Sequence, residues 1–283
     1  MSSVRAVLDA AIARLAGAGI ESPEFDAAEL LAHALGTTRS RLALVEEVDP
    51  ASSVVFEELV TRRAGREPLQ HLTGAAAFRH VELAVGPGVF VPRPETELLA
   101  GWAIERAEQV AGRDPVVVDL CTGSGAIALS IATEVPAADV HAVELEADAV
   151  AWAQRNLAGS GIDLRQGDMA DAFRDLDGTV DVVVCNPPYI PHEAWESVAA
   201  EARDHDPSAA LYSGGEDGLD AMRVVEAVAA RLLRPGGWLG AEHADAQGES
   251  APSVFVATGR WADVRDHRDL AGRPRYLTAR LVG

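Results

Sequence analysis

At 283 residues and 48% hydrophobic content, with no long apolar tract, the chain reads as soluble, globular and large enough for two domains. Its 44 acidic residues outnumber 24 basic ones for a net charge of −20, and every basic residue is arginine. Without lysine there is no Schiff-base chemistry, no lysine-held pyridoxal and no P-loop lysine. The negative charge argues against a broad phosphate-binding face, so no direct nucleic-acid binding is expected.

Cys121 and Cys185 are too few for a disulfide framework and lack zinc-ligand spacing, so no metal site is expected. The first helix is interrupted by Arg5, Asp9 and Arg14, which leaves no signal-peptide core. A cytoplasmic, monomeric protein away from the membrane is the expectation.

In chain order, Val7, Leu8, Ala11, Ile12 and Leu15 form one face of a helix. Ser22-Pro23 opens a second and Gly36 stops it. A short helix over residues 39–45 and a longer one over 52–66 complete an all-helical segment, residues 1–75. That segment is either a plain bundle or a module that grips a macromolecular substrate. Residues 77–91 read as extended, with a turn at Gly86-Pro87-Gly88, and predict a hairpin linking the bundle to the rest over residues 76–93. Pro94 is suited to the first turn of the next helix.

Residues 94–283 alternate strands and helices with short turns, which predicts an α/β fold with a doubly wound, largely parallel sheet. Val116 to Leu120 is a buried strand running into Cys121-Thr122-Gly123-Ser124-Gly125 and then a helix over 126–133. Glycines there let the backbone approach a ligand, and helix N–H groups point at it. The spacing is Gly-x-Gly with no arginine nearby, which favours a nucleoside without a pyrophosphate. A second strand ends in Glu144, suited to the two hydroxyls of a ribose. A third runs over 163–168, where Asp168 and Met169 are placed to flank an adenine.

The fourth strand, Val180 to Cys185, stops at Asn186-Pro187-Pro188-Tyr189. Two prolines cannot continue a ladder, so the chain leaves the sheet in a stiff turn. Asn186 is left at the carboxyl end of the strand, where open α/β sheets bind ligands. Its carboxamide oxygen and the carbonyl of Pro187 can accept both hydrogens of a planar amino group, and Tyr189 can cover that group's flat face. The site suits chemistry on a conjugated, poorly nucleophilic –NH2. Beyond it come a polar stretch to Tyr212, a helix over 218–233, a strand ending in Glu242, a helix over 247–258 and two closing strands.

Along nearly its whole length the chain resembles the release factor glutamine methyltransferases, the PrmC/HemK family. The matching segments are 67–74, Gly88-Val89-Phe90-Val91-Pro92-Arg93-Pro94-Glu95-Thr96-Glu97, 119–125, 186–189, Asp206-Pro207 with Ala210-Leu211, and 269–273. The resemblance implies a seven-stranded Rossmann-like methyltransferase sheet preceded by a small helical domain that helps hold the protein substrate. It implies S-adenosylmethionine held by Cys121, Thr122, Gly123, Ser124, Gly125, Glu144, Asp168, Met169 and Asn186. It implies that Asn186 and Pro187, with Pro188 and Tyr189, receive the target glutamine, that of the Gly-Gly-Gln loop of class I peptide chain release factors.

The family usually has glycine where Cys121 stands and often tryptophan at the Met169 position. In the usual strand order Cys121 lies near Cys185, and oxidising that pair would block the cofactor's access. An adenine amino methyltransferase acting on DNA or RNA shares the Asn-Pro-Pro-Tyr element, and a ribosomal-protein glutamine methyltransferase is a close cousin. Both remain alternatives at this point.

Overall fold

The computed structural model describes residues 2–283, in two units: 2–75 with 199–205, and 76–198 with 206–283. In the first unit, helices α1 (Val4–Gly17), α2 (Pro23–Ala34), α3 (Pro50–Ala64) and α4 (Leu69–Thr73) bury Leu15, Leu30, Leu31 and Phe56 in one core. The segment over residues 39–44 is a 3-10 helix. Arg63 is buried in this unit and bonds Asp26 at 2.6 Å, Glu201 at 2.9 Å and the Glu67 carbonyl at 3.0 Å. A buried guanidinium tolerates such burial because its fork is filled by charge-assisted hydrogen bonds.

The second unit is built on the expected sheet. A hairpin, β1 (Ala75–Phe78) and β2 (Val81–Ala84), precedes helix α5 (Thr96–Glu108). Then follow β3 (Val116–Leu120), α6 (Ala126–Glu134), β4 (Asp139–Glu144), α7 (Ala147–Asn156), β5 (Asp163–Gln166) and β6 (Val180–Cys185). The stretch read as merely polar holds two short helices, α8 (Ala200–His205), which belongs to the first unit, and α9 (Ser208–Leu211) in the second. Helix α10 (Asp220–Leu232), β7 (Leu233–Glu242), α11 (Ser250–Thr258), β8 (Trp261–Arg268) and β9 (Pro274–Leu281) complete the chain.

The seven-stranded order is β8-β9-β7-β6-β3-β4-β5, with β9 antiparallel to both of its neighbours, β8 and β7, and the pairings from β7 to β5 all parallel. From β3 the chain works outward to β5, then returns to place β6 on the other side of β3. That reversal opens a crevice at the carboxyl ends of β3 and β6. The strands alternate between two apolar layers, which is why their sequences read as unbroken apolar runs. Val182 and Val184 pack with α5 and α6, whereas Val183 and Cys185 pack with α10 and α11. Each of the valines is essentially fully buried, worth roughly 1.5–3 kcal/mol.

The hairpin differs from expectation. Its turn is at Arg79-His80, where Arg79 takes a φ of 48° and is clamped by Glu134 through two 2.7 Å bonds. Gly86-Pro87-Gly88 is a turn as expected, closed by the Val89 N–H on the Gly86 carbonyl at 3.4 Å, but it follows the hairpin and docks on α7, where the Trp152 indole donates to the Pro87 carbonyl at 3.1 Å. A Cβ on Gly86 would lie 2.6 Å from the Trp152 ring, so glycine here answers a close approach. Asn156 ties the same segment down, exchanging bonds with the backbone of Ala84 and donating to the Ser124 carbonyl of the glycine turn. Gly86→Ala is therefore expected to destabilise the protein by about 1–3 kcal/mol, read as a lower urea midpoint at unchanged slope.

Candidate active site

Parallel register brings the functional side chains level. Leu120 pairs with Val143 on one side and Cys185 on the other, so the residues that follow, Cys121, Glu144 and Asn186, leave the sheet side by side. They meet in a cavity of about 190 Å³ that is also lined by Thr122, Gly123, Ser124, Asp168, Met169, Pro188 and Tyr189. Gly125 and Pro187 do not line it. Gly125, at φ 88°, starts α6, and a Cβ there would meet Leu157 at 2.8 Å. Pro187 is buried, so any part it takes falls to its backbone carbonyl.

Cys121 sits at φ 58°, in the left-handed region. A side chain there costs about 1 kcal/mol relative to glycine. Its Sγ lies 3.5 Å from the Met169 sulfur, which makes a soft wall in place of a larger aromatic. Both cysteines are free thiols. Burial, and then the neighbouring Cys121, push the Cys185 thiol well above its ordinary value. A thiol so reluctant to ionise is a poor partner for disulfide formation, so proximity does not by itself make this pair a redox sensor.

Two buried acids hold the walls of the cavity. Asp119 accepts from the Thr122 hydroxyl at 2.6 Å and from the Ala128 N–H at 3.2 Å, stapling the end of β3 to the first turn of α6. Burial is the main reason its carboxyl is pushed up to about 7. Glu144 accepts from the N–H groups of Gly123 (2.8 Å), Leu145 (2.8 Å) and Glu146 (3.0 Å). Those donors fix the carboxylate's orientation and leave further lone pairs for a ligand's hydroxyls. Asp168 caps the 3-10 turn Met169–Asp171 by accepting from Ala170 N–H at 2.9 Å, which aims this exposed acid.

On the Asn186 side the wall includes Phe90, Arg93 and Thr96. The Arg93 guanidinium lies 4.8 Å from the Phe90 ring centroid and bonds the buried Asp206 at 2.5 Å, joining the segment before α5 to the segment before α9. Asn186 Nδ2 donates to the Thr96 hydroxyl at 3.4 Å, and that hydroxyl donates to Glu242 at 2.7 Å. The Tyr189 hydroxyl donates to the other oxygen of Glu242 at 3.3 Å. Burial above all raises the Glu242 carboxyl to about 7. Phe90, Thr96 and Glu242 carried no assigned role in the sequence. The only signal for the first two was their place in the matched segment 88–97, and Glu242 showed only as an acid closing a strand.

A glycine turn after β3, an acid closing β4 and a carboxamide closing β6 define a methyltransferase-type site on a doubly wound sheet. Known proteins show the same class for the chain as a whole. Residues 6–74 match the PrmC N-terminal domain and residues 99–239 the methyltransferase small domain. A release factor glutamine methyltransferase of Streptomyces coelicolor is 56% identical over 99% of both chains. A 4-amino-L-phenylalanine/4-methylamino-L-phenylalanine methyltransferase of Streptomyces pristinaespiralis is 45% identical over 90% of this chain and 88% of that one. A methyltransferase of Pyrococcus furiosus shares the fold, with a TM-score of 0.54 at 18% identity over 79% of this chain and 99% of that one. The chain belongs to the release factor glutamine methyltransferase family.

The raised Asp119 carboxyl has a consequence for stability. A native pKa above the unfolded value means that the folded state holds the proton more tightly, so stability falls as pH rises from about 4 through 7. In Asp119→Asn that loss is absent. The difference in melting temperature between the variant and the parent is expected to move in the variant's favour between about pH 5 and 8.

Proposed function

We propose that the chain transfers a methyl group from S-adenosylmethionine to the side-chain amide nitrogen of the glutamine in the Gly-Gly-Gln loop of class I peptide chain release factors. The observation that carries this reading is the Asn186 carboxamide, tied through its NH2 to Thr96 and set in one cavity with Glu144 and the glycine turn. An amide oxygen so presented suits a substrate –NH2.

The residues present fit the cofactor. Glu144, already oriented by three backbone N–H groups, suits the ribose hydroxyls, and Asp168 with Met169 suits the adenine. The turn over residues 121–125 supplies backbone that faces the cavity through Gly123, where a Cβ would meet nothing within 4 Å. Bound there, S-adenosylmethionine supplies an electrophilic methyl on a sulfonium.

The chain's part is positional and electrostatic. The Asn186 oxygen and the Pro187 carbonyl accept the two N–H bonds of the glutamine amide. That aims the nitrogen's out-of-plane electrons and stabilises the positive charge that gathers on it. A carboxamide is no base, so the proton leaves after attack, to water or to another group. Phe90 and Tyr189 form apolar walls around the amide.

The first unit, whose sequence matches the PrmC N-terminal domain, is assigned to gripping the release factor. No helix among the described residues is long and apolar enough to cross a membrane, and we assign the protein to the cytoplasm, where its substrate acts.

The 45% identical arylamine methyltransferase favours a second reading, because an aniline nitrogen is also flat, conjugated and weakly nucleophilic. The test is methyl transfer from labelled S-adenosylmethionine to a recombinant release factor, to 4-amino-L-phenylalanine and to nucleic acid, with peptide mapping of the product. Label on the glutamine of the Gly-Gly-Gln loop is expected; label on the amino acid or on adenine instead would overturn the proposal.

In the same assay Asn186→Ala is expected to lose at least about a hundredfold in turnover while it keeps measurable cofactor binding. Glu144→Ala is expected to weaken cofactor binding by about tenfold or more, measured by calorimetry.

A further inference from the structure

Resting on that reading of Asn186, we propose that Thr96 and Glu242 are positioning residues for methyl transfer: together they lock the Asn186 carboxamide with its oxygen toward the substrate nitrogen. A carboxamide has two nearly isosteric ends, and only one accepts a hydrogen bond. If the group turned over, it would offer an NH2 to a substrate NH2, and the site would repel the amide it has to bind. Something must choose the end.

The choice is made by hydrogen-bond direction along a short chain. An ionised Glu242 can only accept, so the Thr96 hydroxyl, 2.7 Å away, must give it its one hydrogen. What Thr96 then has left for Asn186 is a lone pair. The neighbour at 3.4 Å must be the NH2 end, which sends the carboxamide oxygen the other way. Tyr189 donates to the second oxygen of the same carboxylate at 3.3 Å, so one acid orients both the acceptor and the ring beside it.

Register and sequence explain how the parts meet. β7 runs parallel to β6 with Ala241 beside Cys185, which puts Glu242 next to Asn186. Thr96 comes from the first turn of α5 and is buried. Glu242 is only 2% exposed, so a carboxylate there is costly and its retention needs a purpose.

The device has a pH limit. The Glu242 carboxyl titrates near 7: burial raises it, Thr96, the Arg275 guanidinium on β9 and Tyr189 draw it down, and Glu95 before α5 adds to the rise. Tyr189, held well above its ordinary value, stays a donor throughout. Once protonated, Glu242 can itself donate, the Thr96 hydroxyl is released, and the carboxamide is free to turn. Turnover should fall as pH drops below about 7. Asp119 titrates in the same range, so the parent's profile alone does not name the group, whereas a Glu242 variant does.

The experiment is steady-state methylation of a release factor by the parent, Asn186→Ala, Thr96→Val, Thr96→Ser and Glu242→Gln between about pH 6 and 9, with S-adenosylmethionine affinity and melting temperature measured alongside. Thr96→Val is expected to lower kcat about tenfold or more while cofactor affinity stays within about twofold, and Thr96→Ser to restore kcat. Glu242→Gln keeps one donating end at every pH, as the protonated acid does, so its turnover should stay near the parent's low-pH level throughout and the acid limb should disappear. Parental kcat in Thr96→Val, or an unchanged acid limb in Glu242→Gln, overturns the proposal while an inactive Asn186→Ala leaves the reading of the site standing. Parental turnover in Asn186→Ala would instead overturn that reading. Should Thr96→Val fail to fold, Thr96→Ser and the Glu242→Gln profile decide the matter.

Discussion

The site depends on the register of one strand. β6 lies between β3 and β7, and a shift of one residue would turn every side chain to the opposite face and move Asn186 out of line with Glu144 and Cys121. Both ends of the strand are pinned. At its start the buried Asp181 accepts from the Val116 N–H at 2.9 Å and takes the guanidinium groups of Arg113 and Arg234. At its finish Pro187 and Pro188 forbid another rung. Between these limits the alternation of Val182, Val183 and Val184 between two apolar layers leaves a single solution.

A carboxylate stands behind each wall of the cavity rather than in it. Asp119 holds the glycine turn through Thr122, and Glu242 reaches Asn186 through Thr96. Neither lines the cavity. On both sides a buried acid takes the hydrogen of a threonine hydroxyl, and on the Glu242 side that hydroxyl in turn accepts from the group that faces the ligand, Asn186. A hydroxyl of this kind converts an acid's one-way appetite for hydrogen into orientation of a neutral group.

Local features were legible in the sequence. The glycine turn, the strand ending in Asn-Pro-Pro-Tyr and the acid closing β4 each declare themselves within a few residues, and the strand–helix alternation gave the sheet. What escaped depends on partners remote in the chain. Glu242 and Thr96 are separated by 146 residues, and neither has a local pattern to reveal a role. Gly86-Pro87-Gly88 forms the turn its residues declare, but its place after the hairpin was hidden for a related reason. Glycine and proline signal that turn correctly, and the missing side chain of Gly86 also makes room for Trp152, a contact that only the fold creates. The reversal between the two hairpin strands, at Arg79-His80, has no glycine and is held in its unusual backbone geometry by Glu134.

The ion pairs of this molecule share one chemistry on the positive side. Arg63 with Asp26, Arg79 with Glu134, and Arg165 with Asp163 and Asp175 all use guanidinium, because the chain has no other strongly basic side chain. A guanidinium does not discharge at any pH that a protein survives, and reagents aimed at primary amines pass it by. The clamps on the bundle, the hairpin and β5 therefore cannot be opened by alkali acting on their cations. They are equally indifferent to acylation, the modification by which lysine-based clamps elsewhere are silenced.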